Sequence, residues 1–415
     1  MKKIYTSIDL GSDTIKLLVG EIYKGKLSVL AVSSVSSKGI KKGLIVDANE
    51  TILALREVIE EVEGKLGIKL KKVIANVPAY FAEYKEVEGY STITNEDKKI
   101  TGNDIVRTLQ ACVYNKLKTN HELITIVPIE FKVDNKKGLM DPKGIVGKKL
   151  FVKAVLVSTP KKNVYSVISV LDSLGLEVVD INISPLSDYF EYKNRELDKG
   201  VTALINIGDQ TTTVSVFEKG IIINSEIIVV GGENIDNDLS YIFKINKQNS
   251  KELKERFALG DKEYAQTKET YDVISITKKE LVLNQYELSE VVMSRLVEIL
   301  KLARKQVSLL TNKEINYIIV TGGTSEIPGM ASLVKDCLGQ NARLGNIDTI
   351  GIRDYKYSVS SGMIKYFSSK LKLRGKEYSM FDIKEQEDLI SSQKKVLNVS
   401  NNSILGKVFG YFFDN

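Results

Sequence analysis

Three short loops carry the side chains best suited to chemistry: "DLGSDT" at residues 9–14, "NIGDQTTT" at 206–213 and "VTGGTSEIPG" at 320–329. Glycine lets backbone N–H groups come close to an anion, and Ser and Thr add hydroxyl donors, so this composition suits a nucleotide's phosphate tail. Any one such loop, taken alone, is an ordinary turn. As a set they say more: two matching loops can pinch a triphosphate, and a Gly-Gly loop between strand and helix can border the nucleoside. Asp9 is a carboxylate able to hold magnesium through water, or simply a turn cap. Rival fingerprints fail, because no G-x-x-x-x-G-K-[ST] occurs and "GIVGKK" at 144–149 lacks both spacing and hydroxyl.

The elements that must position these loops repeat. From Lys3 to Leu30 and beyond, the sequence reads as strand, Gly turn, strand ("TIKLLVGEIY") and strand ("KLSVLAVSSV"); residues 200–232 give strand, Gly turn, strand, Lys-Gly turn, strand. This is an internal duplication by pattern rather than identity. Between the halves, "ETILALREVIEEVEG" (50–64) places Ile52, Leu53, Leu55, Ile59 and Val62 at helical spacing, with Gly64 as the expected C-cap. A strand "KKVIANVP" follows, then short strands and a helix "DIVRTLQACVYNKL" up to about residue 160, a helix at 162–175 and a strand at 177–184. Residues 250–310 read as strongly helical, and "NYIIVTGGTSEIPGMASLVKDCLG" as strand, Gly loop, helix. The polar stretch 370–403 reads as a tether with some local helix.

Composition narrows the function classes. A chain of 415 residues is long enough for two or more units with real cores. Hydrophobic and charged fractions of 43% and 27% are ordinary globular values, and no apolar run approaches a membrane span. Ser7 and Asp9 interrupt the N-terminus too early for a secretory core, so the protein is expected to stay where it is made. Cys112 and Cys337 are too few for a disulfide framework, which suits a reducing cytoplasm. His121 is the only histidine, so HExxH zinc sites are excluded; its polar neighbours "KTNHEL" predict a surface position. The net charge of +6 is spread along the chain without a basic, aromatic-laced stripe, and nucleic acid is not an expected partner. Lys370, Lys372, Arg374 and Lys376 suit either weak attraction to an anionic membrane or a solvated face.

The chain ends "SILGKVFGYFFDN". At 100° per residue Ile404, Leu405, Val408, Phe409, Tyr411, Phe412 and Phe413 share one arc, and Ser403, Gly406, Lys407, Gly410 and Asp414 the other. Such a helix anchors at a membrane surface, fills a partner's groove, or folds back on its own domain. Partial burial of its apolar side chains yields about 7–10 kcal/mol gross, and ordering the segment costs a comparable amount. One tail would hold lipid weakly, and an array of tails strongly.

Four segments resemble the actin-like cell-division family FtsA in order: 41–63 ("KKGLIVDANETILALREVIEEVE"), 126–157, "VVGGENIDNDL" (229–239) and "IIVTGGTSEIPGM" (318–330). The resemblance covers about residues 4–365 and the tail, and its most specific part holds Pro128, Asp134, Asp141, Pro142, Gly144 and Gly147. It implies an α/β, duplicated two-lobed fold of the actin, Hsp70 and sugar-kinase kind, with an inserted subdomain and a C-terminal amphipathic helix. The implied boundaries are 1–81 with 162–190 for the first lobe, 82–161 for the insert, and 191–240 with 305–369 for the second lobe. A helical subdomain would occupy 241–304, a flexible linker 370–402 and the helix 403–415.

The resemblance further implies ATP and Mg2+ in the cleft, self-assembly into filaments or dimers, binding of the C-terminal tail of the tubulin-like protein FtsZ, and attachment to membrane lipids. The protein would then be peripheral on the inner face of the cell membrane at the division site. By motif, Gly11, Ser12, Asp13 and Thr14 would meet phosphate, as would Gly208, Asp209, Gln210, Thr211 and Thr212; Lys16 would neutralise phosphate charge. Gly231, Gly232, Asn234, Gly322, Gly323 and Thr324 would border the nucleoside, Asp9 and Asp209 would serve the metal, and Arg295 the FtsZ tail. Ile404, Leu405, Val408, Phe409, Phe412 and Phe413 would enter lipid.

One departure bears on catalysis. Where the family reads Asp-Ile-Gly-Gly-Gly-Thr-Thr, this chain reads "NIGDQTT", so Asn206 replaces a carboxylate and at most weak hydrolysis is expected. The alternatives in the superfamily are a rod-shape or pilus-assembly scaffold, which would lack the 126–157 segment, and a small-molecule kinase, which would need a placed carboxylate base.

Overall fold

The computed structural model describes residues 3–389. Strands β1 (Lys3–Leu10), β2 (Thr14–Tyr23) and β3 (Lys26–Ser36) form an antiparallel meander. Lys24 and Gly25 turn β2 into β3, both with positive φ (48° and 79°), the conformation that matches the twist of a two-residue hairpin. A ribbon of β4 (Ile40–Lys41) and β5 (Leu44–Ile45) leads to α1 (Ala48–Leu66) and β6 (Lys72–Val77). Asp47 caps α1, accepting from the Glu50 amide at 3.1 Å. The helix passes through Gly64, because Leu66 adds one more buried contact; Gly67, at φ 72°, is the C-cap instead.

The insert follows as β7 (Glu83–Thr92), α2 (Gly102–Ala111), β8 (His121–Val133), β9 (Lys136–Leu139) and β10 (Lys149–Pro160), in sheet order β7-β10-β8-β9. It has its own core, with Ile105, Phe131, Leu150 and Ala154 fully buried. Asp134 closes it, its carboxylate accepting from the amides of Lys148 (3.0 Å) and Lys149 (2.9 Å). His121 is buried rather than on the surface: β8 pairs it with Pro160 of β10, and its Nδ1 lies 3.2 Å from Ser158 Oγ. Then α3 (Lys161–Asp172), β11 (Glu177–Ile183) and α4 (Ser184–Tyr192) complete the first lobe, whose sheet runs β11-β6-β1-β2-β3.

The second lobe repeats this plan. Strands β12 (Val201–Ile207), β13 (Thr212–Glu218) and β14 (Ile221–Ile228) form the meander, again turned by a Lys-Gly pair, Lys219 and Gly220, with φ of 49° and 77°. Helices α5 (Gly232–Phe243) and α6 (Lys247–Arg256), hairpin β15 (Thr270–Ile274) and β16 (Glu280–Asn284), and α7 (Gln285–Leu310) follow. The stretch expected to be wholly helical therefore contains a hairpin, in which Val273 and Leu283 face inward beneath α7. Strand β17 (Tyr317–Thr321), α8 (Met330–Leu338), β18 (Ala342–Leu344) and α9 (Ser358–Leu373) complete the order β14-β13-β12-β17-β18. Strand for strand this is the first sheet over again, with β12 parallel to β17 as β1 is to β6.

Helices α4 and α9 cross between the sheets. Gly362 sits at the crossing, where an added Cβ would overlap the Ser187 carbonyl, and Ser358, Ser360 and Ser361 around it are buried. Tyr189 of α4 stacks on Phe217 of β13 at 3.9 Å between ring centroids, joining the two halves through buried aromatic surface.

The segment expected to be a flexible linker from residue 370 is structured as far as residue 389. Residues 370–373 belong to α9, Gly375 turns the chain at φ 63°, and the following residues strap across β1. The Met380 amide donates to the Ile4 carbonyl (3.0 Å), the Tyr5 hydroxyl donates to the Tyr378 carbonyl (2.9 Å), and Met380, Phe381 and Leu389 are buried. The rest of that linker and all the tail residues from Ile404 to Phe413 lie outside the described residues. Among the described residues no helix is long and apolar enough to cross a membrane.

Candidate functional site

The loops after β1, β12 and β17 meet because each follows a parallel, centrally placed strand, and open parallel sheets gather ligands at such strand ends. They line a cleft of about 540 Å³. In the first loop, an added Cβ on Gly11 would come within 2.7 Å of the Thr14 carbonyl and 2.9 Å of Lys16 Nζ, so only glycine leaves the backbone open here. Lys16 is buried and pairs with Asp9 (3.1 Å), while Asp9 also accepts from Asn76 Nδ2 (2.8 Å). Both oxygens of Asp9 are thus engaged, and a metal would reach it through water. Asp13 pairs with Lys251 of α6, and Ser12 Oγ accepts from the Gly43 amide (2.7 Å).

In the second loop Gly208, Asp209, Gln210 and Thr211 line the cleft. Thr212 does not: strand alternation turns it into the core, where its hydroxyl donates to the Val230 carbonyl (2.8 Å), and Thr213 faces the cleft instead. Gly231, Gly232 and Asn234 do not line the cleft either. They support the loop from behind: the Gly232 and Glu233 amides donate to the carbonyls of Gly208 (3.0 Å) and Asp209 (2.8 Å), and Asn234 Oδ1 accepts from the Gly231 amide (3.0 Å). The third loop supplies Gly322, Gly323 and Thr324. Gly322 has φ 94°, and the Thr324 hydroxyl donates to the Gly208 carbonyl (2.8 Å), binding loop to loop.

Several lining residues escaped the sequence reading: Lys42 and Gly43 from the β4–β5 ribbon, Lys251, Lys254 and Arg256 from α6, and Tyr355 with Lys356 before α9. The basic run on α6, "KELKER", was a signal, but it reads equally as a solvated helix face. Two contacts cross the mouth of the cleft, the Asp13–Lys251 ion pair and a hydrogen bond from the Lys42 amide to Gln210 Oε1 (2.8 Å). Burial, then the charge of Asp13, push the Asp209 carboxyl up to about 6 against the pull of Lys254, so a cation beside it would relieve the site. Among the described residues no cluster of three or more His, Cys, Asp or Glu could hold a metal unaided. Glycines at the points of closest approach, lysines around the walls and a cleft of this volume fit a nucleotide.

Arg295 is already paired within the second lobe. Its guanidinium forks onto Asp238 of α5 (2.7 and 2.9 Å) and also donates to Glu298 (2.6 Å). Another face of α7 forms an open groove with α8, lined by Met293, Val297, Lys301, Lys305, Leu333 and Asp336 among others.

Comparison with known proteins bears on all of these features. A family model described as "Cell division protein FtsA" matches residues 203–362, and one described as "SHS2 domain inserted in FTSA" matches residues 83–158; together they cover more than half of the chain. The cell division protein FtsA of Bacillus subtilis is 27% identical over 394 residues, spanning 94% of this chain and 90% of its own length. That of Streptococcus pneumoniae is 28% identical over 353 residues, spanning 84% and 77%. Among solved structures, MreB5 of Spiroplasma citri bound to ADP superposes with a TM-score of 0.54 at 14% identity, covering 89% of this chain and 98% of that one, which shows the actin-like fold. The insert matched by its own model separates this chain from the scaffold and kinase alternatives, and with relatives of one name aligned along most of their length, the chain belongs to the FtsA family of cell-division proteins.

Proposed function

We propose that this protein binds ATP with magnesium, self-assembles into filaments, and tethers FtsZ to the inner face of the cell membrane through its C-terminal helix. The observation that carries this reading is the convergence of three glycine-bearing loops from two duplicated sheets on one cleft. Six cationic residues line it (Lys16, Lys42, Lys251, Lys254, Arg256, Lys356) against five acidic ones (Asp9, Asp13, Asp209, Glu255, Glu326), a surplus too small for a triphosphate. A divalent cation would supply the remainder, held by phosphate oxygens, by Asp209 and, through water, by Asp9.

The chain's own residues then act as a closure. A polyphosphate between the first two loops competes with Asp13 for Lys251, and the Lys42–Gln210 contact keeps the ribbon over the opening. Nucleotide therefore biases how the two halves meet, and with it the relative placing of the outer surfaces that copies in a filament would share. Weak tails become a firm anchor once many share one filament face. The direct test is flotation with vesicles of phosphatidylcholine and phosphatidylglycerol, comparing the full chain with one ending at Asn402, each with and without magnesium and ATP. The full chain alone should float, and more so with nucleotide; equal flotation of both chains rejects the anchor.

For the FtsZ tail, the α7–α8 groove is the better candidate than Arg295. Its floor of Met293, Val297 and Leu333 and its rim of Lys301 and Lys305 suit an acidic amphipathic segment. Lys301→Glu with Lys305→Glu should weaken binding of the FtsZ tail peptide at least about tenfold, a loss of about 1.4 kcal/mol, whereas Arg295→Ala should leave it within about twofold. Fluorescence anisotropy of the labelled peptide measures both, and the reverse pattern would return the role to Arg295.

A further inference from the structure

A carboxylate stands beside Asn206 after all, contributed by a different element. Helix α4 opens at the cleft with Ser184 and, one turn later on the same face, presents Asp188. Asp188 is 1% exposed; its Oδ2 accepts from Asn206 Nδ2 at 2.7 Å, and among the described residues the only other donor close to the carboxylate is the Ser358 hydroxyl, which makes no well-formed hydrogen bond to Oδ1. A buried carboxylate with so few donors is costly, so the site favours a guest that can donate. Next to it is a chamber of about 20 Å³, lined by Ser184, Asp188, Asn206, Thr213 and Ser215 among others. That is room for one water, between mainly apolar walls with Asp188, Asn206 and Thr213 among the polar residues that reach it. Ser184, Asn206 and Thr213 also line the large cleft, so the chamber adjoins its wall. Burial pushes the Asp188 carboxyl up to about 7 against the pull of Ser358 and Asn206, with the charges of Asp9 and Glu191 adding to the rise; this suits a group that takes up and returns a proton near neutrality.

We propose that Asp188, oriented by Asn206, holds the attacking water and is the general base for hydrolysis of the nucleotide in the cleft, replacing the carboxylate that the chain lacks at position 206. The inference rests on the nucleotide reading above and adds a reaction to it. The water oxygen bonds to the terminal phosphorus, the bond from that phosphorus to the bridging oxygen breaks with its electrons leaving on the diphosphate, and the water proton passes to Asp188. From there it returns to solvent or to the departing phosphate.

The test uses the full chain, Asp188→Asn and Thr213→Val, with two readouts: phosphate release from ATP with magnesium, and calorimetric binding of the β,γ-imido analogue of ATP. Loss of a positioned base removes about 10²–10⁴-fold in rate. Asp188→Asn should slow release at least about 100-fold and change analogue affinity by less than about threefold. Thr213→Val, which keeps its shape but withdraws one chamber hydroxyl, should slow release less. Equal release by the full chain and Asp188→Asn, or no release above buffer by either, overturns the base while analogue binding leaves the nucleotide reading standing. Loss of analogue binding in Asp188→Asn makes the residue a binding group and also overturns the proposal. Failure of the full chain to bind the analogue removes both readings.

Discussion

Phe381→Ala is expected to cost about 3–5 kcal/mol of unfolding free energy, the usual result of emptying a buried aromatic site. The residue lies in the strap, is 5% exposed and belongs to the core of the first lobe with Met380 and Leu389. Around it the Met380 amide bonds the Ile4 carbonyl, Lys71 pairs with Glu385 (2.6 Å), and Tyr378 meets the ring of Phe367 edge-on at 6.1 Å. Ile383→Ala is the matched control, because Ile383 is 64% exposed and should lose no more than about 0.5 kcal/mol. Urea denaturation reads both. Equal midpoints for Phe381→Ala and the unaltered chain would mean that residues 376–389 are a tether in solution.

The second large effect is on pH dependence. The Asp188 carboxyl, ordinarily near 3.8, is pushed up to about 7 by burial. Between those values the folded chain keeps a proton that the unfolded chain has lost. The folded state then binds more protons, so stability falls as pH rises through this window and levels off above it. Three pH units correspond to a ceiling of about 4 kcal/mol. Asp209, raised to about 6 by burial and the charge of Asp13, adds in the same direction. Carboxyls held below their ordinary range, such as Asp104 with Thr101 and Arg107, act oppositely and at lower pH. Asp188→Asn isolates one contribution: its stability advantage over the unaltered chain should be small near pH 4 and grow to a few kcal/mol at pH 7.5. Parallel stability curves across that range would show that Asp188 is ionised in the folded protein.

Much of this was legible because it is local. Two Lys-Gly turns, β-branched strands and glycine-bearing loops announce the duplicated meanders, and the topology then brings three loops to one cleft. What stayed hidden depends on partners distant in sequence or on a shift of one residue. Thr212 and Thr213 are alike in type, and only strand parity decides which faces the cleft. Met380, Phe381 and Leu389 are isolated apolar residues in a polar stretch, and nothing local shows that β1 waits to cover them. His121 has polar neighbours yet is buried by strand pairing. Arg295 looks available until Asp238, 57 positions away, is seen to hold it. Asp188 sits among the buried apolar residues of α4, so its meaning depends on Asn206 arriving from another strand.

The crossing at Gly362 gives the molecule a fulcrum. Here the backbone of α9 rests on the Ser187 carbonyl with no compliant layer between. Sliding in either direction would drive that carbonyl into the neighbouring side chains, whereas rotation about the point leaves the contact intact. The crossing therefore fixes the point at which α4 and α9 touch and leaves the angle between them as the softer coordinate, and Tyr189 carries that angle to Phe217 of the second sheet.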